Sequence, residues 1–321
     1  MKQHHWDGKR AWASRGSRIL VGPGPQGPFA TWARLGPFRV AWCQWLRRLT
    51  RRRIHQVIHL HDDTILVVLR RLLLVMRSGR IVHEHGTGLG SQPLSRGVCR
   101  LPDGRILYGE YGANPRRDPV RLMLSSDDGA TWSAAWQSMP GEIRHIHMVS
   151  PVHGAGDEVF VAAGDYGAEP RLLRLNLKNA ACTIVGSGGQ EWRMLDLIQA
   201  GNGLIWGSDN DRGDNFVYRL APDESTPRPV QRLPGPVYAA GRDANGRFLL
   251  ATAVEDRRRH RACLFMSMNG EQWQLMRCFA KDLLPARLFG YGIASFPRGQ
   301  QHLADLVVNL DGLREKKWPK R

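Results

Sequence analysis

The stretch Leu122-Met-Leu-Ser-Ser-Asp-Asp-Gly-Ala-Thr-Trp132 constrains the fold more than any other part of this chain. An apolar, strand-compatible run from Val120 to Leu124 stops abruptly at Asp127-Asp128-Gly129, a hairpin-turn signal. In such a turn an aspartate accepts hydrogen bonds from backbone amides, and a glycine takes a positive φ at little cost. Trp132 is then placed to pack back under the hairpin. A shorter copy, Ser267-Met-Asn-Gly-Glu-Gln-Trp273, follows the apolar run Cys263 to Met266 and lacks one residue between Asn269 and Gly270. The two tryptophans lie 141 positions apart, three units of 47, close to the ~40 to 50 residues of one four-stranded repeat in a propeller. The chain is therefore read as repeats.

The pattern Ser-x-Asp-x-Gly-x-Thr-Trp resembles the Asp-box, or BNR repeat, of the sialidase-like β-propellers. That resemblance implies an all-β fold: a six-bladed β-propeller of four-stranded antiparallel blades. The turn pairs agree with it. Asp62-Asp63, Ser78-Gly79, Asp103-Gly104, Asp128-Gly129, Asn202-Gly203, Asn245-Gly246 and Asn269-Gly270 all fall at hairpin positions. Blades are expected near 52–86, 94–137, 143–186, 191–233, 235–277 and 287–318. The segments 99–107, 197–206 and 239–250 each read as the inner hairpin of a blade. Residues 1–50 carry many Gly and Pro and read as a basic, Trp-containing arm ahead of a propeller at 51–321, with Ile19-Leu-Val21 as a candidate closing strand. Residues 36–50 read as a short helix or as disordered.

At 321 residues and 42% hydrophobic, with 35 Gly and 19 Pro, the chain suits many short strands joined by turns. The apolar stretch Thr64 to Met76 is interrupted by Arg70 and Arg71 and falls short of the ~20 residues of a membrane helix. It reads as two strands, and no transmembrane segment is expected. No secretory signal is visible at the N-terminus, so the expected location is cytoplasmic. Five cysteines, at 43, 99, 182, 263 and 278, show no CxxC spacing and are expected to be reduced core residues.

Of the net charge of +17, residues 1–100 carry +14, from 18 Lys or Arg against 4 Asp or Glu. The centre of this region is Trp42-Cys-Gln-Trp45-Leu-Arg47-Arg48-Leu-Thr-Arg51-Arg52-Arg53. No nucleic-acid-binding module surrounds it. The run reads as a solvated basic arm or as a contact for an anionic surface; the partner expected for the chain is a glycan or acidic polysaccharide.

The resemblance can be carried residue by residue. Sialidases open with a Tyr-Arg-Ile-Pro motif, then a hairpin ending in Ala-Glu-x-Arg, then an Asp-box. Here Ser95-Arg96-Gly-Val is followed by Pro102-Asp-Gly-Arg-Ile-Leu-Tyr-Gly-Glu110-Tyr-Gly112 and then by the box. Arg96 is thereby similar to the first of three arginines that clamp a substrate carboxylate, a task suited to a planar fork of donors. Glu110 keeps the hairpin-end carboxylate, and Asp118 falls near the acid/base aspartate. Glu191 resembles the glutamate that activates the nucleophile, and Tyr291 looks like the tyrosine nucleophile itself. Arg258, within the run 257–261, takes the place of the third arginine. Gly112 stands where the Arg of Ala-Glu-x-Arg would be, and Trp206 to Asn210 stand near the expected second arginine. These departures point to a glycoside hydrolase acting on an acidic or unusual glycan instead of on sialic acid. No cofactor is implied.

A second constellation competes: His83-Glu84-His85, Arg144-His145-Ile-His147 and Ala163-Gly-Asp165. The i, i+2 spacing puts His145 and His147 on one face of a strand. The set is similar to the histidines and metal of propeller-type oligogalacturonate lyases, a metal-assisted alternative. The preferred reading is polar packing or hydrogen bonding to a substrate. A propeller that binds a glycan or a protein without catalysis is a further alternative.

Overall fold

The computed structural model describes residues 1–37, 39–41, 43–201, 203–255 and 260–315. The described chain is all-β but for two short helices and two 3-10 turns, and no helix is long and apolar enough to cross a membrane. Sheet I holds β1 (Lys2–Trp6), β2 (Ala11–Arg15), β3 (Arg18–Gly22) and β4 (Ala30–Arg34), and α1 (Gln44–Thr50) follows. Sheet II is β5 (Gln56–His61), β6 (Thr64–Leu69), β7 (Leu72–Arg77) and β8 (Arg80–Gly86). Sheet III is β9 (Val98–Arg100), β10 (Ile106–Gly109), β11 (Arg121–Ser125) and β12 (Ser133–Gln137). Sheet IV is β13 (Ile146–Pro151), β14 (Glu158–Ala163), β15 (Arg171–Asn176) and β16 (Cys182–Ser187). Sheet V is β17 (Ile198–Ala200), β18 (Gly203–Gly207), β19 (Asn215–Leu220) and β20 (Arg228–Leu233). Sheet VI starts with β21 (Val237–Arg242), β22 (Phe248–Val254), β23 (Arg261–Ser267) and β24 (Gln274–Lys281); after α2 (Ala286–Phe289) it takes in β25 (Gly292–Ser295), β26 (Asn309–Asp311) and β27 (Leu313–Glu315). All strand pairs within the sheets are antiparallel.

Two compact units divide these sheets. One comprises 54–195 with 223–226 and contains sheets II to IV; the other comprises 1–53, 196–222 and 227–321 and contains sheets I, V and VI. In the first, alternate residues of each strand build two inter-sheet cores. Ile58, Leu66, Val68, Leu73 and Val75 meet Val98, Ile106, Tyr108 and Met123 between sheets II and III. Cys99, Leu107 and Leu122 meet Ile146, Val149, Val159, Val161 and Leu173 between sheets III and IV. In the second unit, Ile198, Ile205 and Val217 of sheet V meet Val237, Phe248, Leu250, Cys263 and Phe265 of sheet VI.

Both tryptophan-bearing turns join the third and fourth strands of their sheets and are built alike. Ser125 Oγ accepts the Gly129 N–H at 2.8 Å, as Ser267 Oγ accepts the Gly270 N–H at 2.8 Å. Asp127 Oδ1 accepts the Thr131 N–H at 2.9 Å, and Asn269 Oδ1 accepts the Glu271 N–H at 2.9 Å. The indole N–H of Trp132 donates to the Gly129 carbonyl, and that of Trp273 to the Gly270 carbonyl. The glycines have φ of 85° and 78°. A Cβ at Gly129 would lie 2.8 Å from Val75, and one at Gly270 would lie 2.5 Å from Ile205. Each box thus docks on the preceding sheet, where only glycine has both the backbone freedom and the room.

Four of the expected blades, 52–86, 94–137, 143–186 and 191–233, coincide with sheets II to V, and 235–277 with the first four strands of sheet VI. The ends of the chain differ. Residues 2–34 are not an arm but a four-stranded sheet: Gly8, Gly16 and the Gly/Pro run at 23–28 sit in its turns, while Ala11, Trp12, Ala13 and Ile19 are fully buried in its strands. Gly and Pro counted over the whole segment hid their placement between strands. Conversely, 287–318 is not a separate blade. β25 pairs with Ala253 and Val254, the end of β22 beyond its pairing with β21, and β27 pairs with β24. This C-terminal segment also meets β1, where Trp6 N–H donates to the Arg298 carbonyl and Asn309 brackets the Gln3 main chain. The candidate closing strand Ile19-Leu-Val21 belongs to β3, inside sheet I.

Within the basic run, Trp42 lies outside the described residues and α1 occupies 44–50. Arg48 pairs with Asp282 at 2.6 Å and Arg53 with Asp311, so two of its charges are neutralised within the fold. The cysteine expectation also needs correction. The β23–β24 register places Cys263 directly opposite Cys278, and the two form a disulfide; Cys43, Cys99 and Cys182 are not disulfide-bonded. Two cysteines 15 apart carry no recognisable spacing, because a strand pairing and not a motif brings them together.

Candidate functional site

In an antiparallel four-stranded sheet, the connection from second to third strand and the one leaving the fourth emerge at the same end. The 3→4 turns, which carry the boxes, emerge at the other. Five of the residues singled out in the sequence, Glu110, Asp118, His145, His147 and Glu191, lie on or beside such same-end connections of sheets III and IV, and Arg96 precedes the first strand at that end.

One strand start and three connections meet there. Ile146 N–H donates to the Glu110 carbonyl, aligning Glu110-Tyr111-Gly112 beside His145-Ile146-His147. His145 Nδ1 is 2.8 Å from the Gly112 carbonyl oxygen, and the Tyr111 ring lies 4.2 Å from the His145 ring. His145 Nε2 and His147 Nε2 are 2.8 Å apart, with Asp165 Oδ1 3.1 Å from the latter and 3.4 Å from the former. All three residues are buried. A register shift between Ile146 and Met148 at the start of β13 accompanies the turning of both imidazoles toward Asp165, which follows β14.

Charged groups enclose this cluster. Arg144 Nη1 lies 3.1 Å from Asp165 Oδ2, and Arg193 Nε lies 3.6 Å from Oδ1 with its guanidinium over the Tyr166 ring. Gln190 donates to the Asp165 carbonyl. Glu169 accepts from the Arg144 main chain at 3.1 Å and pairs with Arg117 at 2.7 Å. Glu110, 2% exposed, binds Arg121 at 2.9 Å, which raises the arginine's pKa. Burial lowers the His147 pKa to about 4, so its imidazole is neutral at pH 7. Burial alone would raise the Asp165 pKa, but hydrogen bonds to His145 and His147 outweigh it and hold the carboxylate ionised. The imidazoles and the carboxylate are equipped to exchange protons, hold a substrate hydroxyl or ligate a cation.

The other sequence candidates are placed differently. Asp118 is bonded within its own loop to Asn114, and its carboxylate pairs with Arg116 at the surface. Glu191, on the 3-10 turn Gln190–Trp192, accepts from the Gly189 N–H at 3.2 Å. Arg96 is half-buried, and its carbonyl accepts from Val149. Tyr291 belongs to the other unit, just after α2, and is 44% exposed; Arg258 lies outside the described residues. His83 and Glu84 lie on β8 with His85, whose ring stacks on Trp132 and hydrogen-bonds the Tyr108 hydroxyl, so His85 supports the first box. Sequence reasoning named Arg144 beside the two histidines but did not single out Glu169, Gln190 or Arg193. Their one signal is polar residues placed immediately beyond strand ends.

No family model matches the chain, and no curated protein matches it. Solved structures do resemble it. The extracellular domain of a protein assigned to the hybrid two-component systems of B. thetaiotaomicron superposes with a TM-score of 0.59 at 11% identity, over 96% of this chain and 37% of that one. A prolyl endopeptidase gives 0.57 at 10% identity over 97% of this chain and 46% of its own length. A chain of the mitotic checkpoint complex gives 0.56 at 7% identity over 98% and 89%. The chain thus spans less than half the length of the first two. At such identities the likeness concerns the fold alone: all-β and β-propeller-like, with sheets of four antiparallel strands.

Proposed function

We propose that this protein is a sialidase-like propeller, its six sheets serving as blades, that takes an acidic glycan at the loop end of sheets III and IV. The observation that carries the reading is the cluster itself. Three chain segments deliver two imidazoles, a buried carboxylate and the guanidinium groups of Arg144 and Arg193 to one place, and a fourth sets the ring of Tyr111 beside them. Arginine forks suit carboxylates of the glycan, an aromatic face suits a sugar ring, and an imidazole–carboxylate pair suits proton transfer. The matching hydrogen bonds of the two boxes support the sialidase-like relation.

Glycan release from sialosides and acidic oligosaccharides by wild type, His147→Gln and Tyr291→Phe tests this. Loss in His147→Gln with retention in Tyr291→Phe is the expected result. Loss in Tyr291→Phe alone would favour a tyrosine nucleophile activated by Glu191, with Asp118 as acid/base. Binding without release would make the protein a lectin-like propeller. If no acidic glycan binds to any of the three proteins, the proposal fails.

A further inference from the structure

We propose that His145 Nε2, His147 Nε2 and Asp165 Oδ1 are the protein ligands of a divalent transition-metal ion. The three atoms form a triangle with edges of 2.8, 3.1 and 3.4 Å. Donors bound to one ion at ~2.1 Å stand roughly 3.0 to 3.4 Å apart on adjacent corners of an octahedron or tetrahedron. The triangle therefore has nearly the size that an ion requires, before any ion draws the ligands into place. An ion at that bond length sits about 1 Å out of the ligand plane, leaving further corners open to water or a sugar oxygen.

Proton bookkeeping points the same way. The Gly112 carbonyl only accepts, so the 2.8 Å contact fixes a proton on His145 Nδ1 and makes the Nε2 lone pair the one this ring can offer to a cation. That lone pair faces a carboxylate oxygen and the other imidazole nitrogen. Three potential ligand atoms thus converge, and a single cation satisfies all of them. His147 Nδ1 is buried without a hydrogen-bond partner among the described residues, so without an ion the ring proton sits on Nε2 against Asp165, and an ion bound there displaces it. The surroundings are those of a ligating shell: Gly112 orients one imidazole, and Arg144 holds the second oxygen of Asp165. Two imidazoles with one carboxylate favour Zn2+, Mn2+ or Fe2+ over Ca2+ or Mg2+, which take all-oxygen sites.

The inference needs no glycan and is tested without one. The full chain is stripped with a chelator and dialysed against Zn2+ or Mn2+ alone, and bound metal is measured after gel filtration. One ion per chain is expected in wild type and in His85→Gln, falling at least tenfold in His147→Gln and in Asp165→Asn. A folded wild type that retains no ion, or full occupancy in both folded variants, would overturn the proposal. Should those variants fail to fold by circular dichroism, pulsed electron paramagnetic resonance of wild type loaded with Mn2+ decides. Coupling to two imidazole nitrogens supports the site, and its absence refutes it.

Discussion

Replacing Ser125 by alanine removes one oxygen with two jobs: it accepts the Gly129 N–H and donates to Asp127 Oδ1, each at 2.8 Å. The Gly129 amide is buried against Val75, so no water takes the place of the lost acceptor. An unsatisfied buried donor costs about 1 to 3 kcal/mol. Ser267→Ala removes the same acceptor from Gly270, also buried and also at 2.8 Å, and the same range is expected there. Trp132 and Trp273 pack in different cores, so urea unfolding followed by tryptophan fluorescence reports on both sheets. The ΔΔG is read as the shift of midpoint at constant m. Ser126→Ala, at an exposed position of the same turn, serves as the control and is expected to stay within about 0.5 kcal/mol. Losses below about 0.5 kcal/mol in both serine variants, or a large loss in one box alone, would refute the claim that the turns are equivalent and held by their serines.

Two further outcomes follow from the same structure. Hydrogen bonds from the Thr131 side chain, the Thr131 main chain and Ser125 lower the Asp127 pKa from 3.8 to about 2. The folded state therefore binds fewer protons than the unfolded one between these values, and the stabilisation is complete above 3.8 and lost as pH falls toward 2. Urea midpoints from pH 5 to pH 2 are expected to fall more steeply in wild type than in Asp127→Asn; parallel curves would contradict this. Gly109→Ala would put a Cβ 2.2 Å from Ile146 Cγ2, where sheets III and IV meet. A destabilisation of about 1 to 3 kcal/mol is expected, reduced in Gly109→Ala/Ile146→Val, and a neutral Gly109→Ala would disprove the tight packing.

The fold was legible where local chemistry sets it. Asp103-Gly104, Asp128-Gly129 and Asn245-Gly246 are turns because their residues tolerate positive φ, and the strands around them alternate as the pleat demands. The ends of the chain were not legible. That β25 joins the free end of β22, or that Asn309 brackets Gln3, depends on pairing across some 40 to 300 residues, which no local pattern encodes. His145 and His147 stood out through their spacing and Asp165 through its strand end, but Arg193 and Glu169 became visible only when the loops met. Tyr291, Glu191 and Asp118 came from the family resemblance; Asp118 pairs with Arg116 and Glu191 accepts from Gly189, each within its own loop, while Tyr291 follows α2 and is exposed.

The most direct test of the account follows the imidazole resonances of His145 and His147 while acidic oligosaccharides are added to the full chain. Saturable shifts in both, weakened by Arg144→Ala, are predicted. Shifts confined to other histidines, or unmoved imidazoles under a glycan that demonstrably binds, would place the functional centre elsewhere.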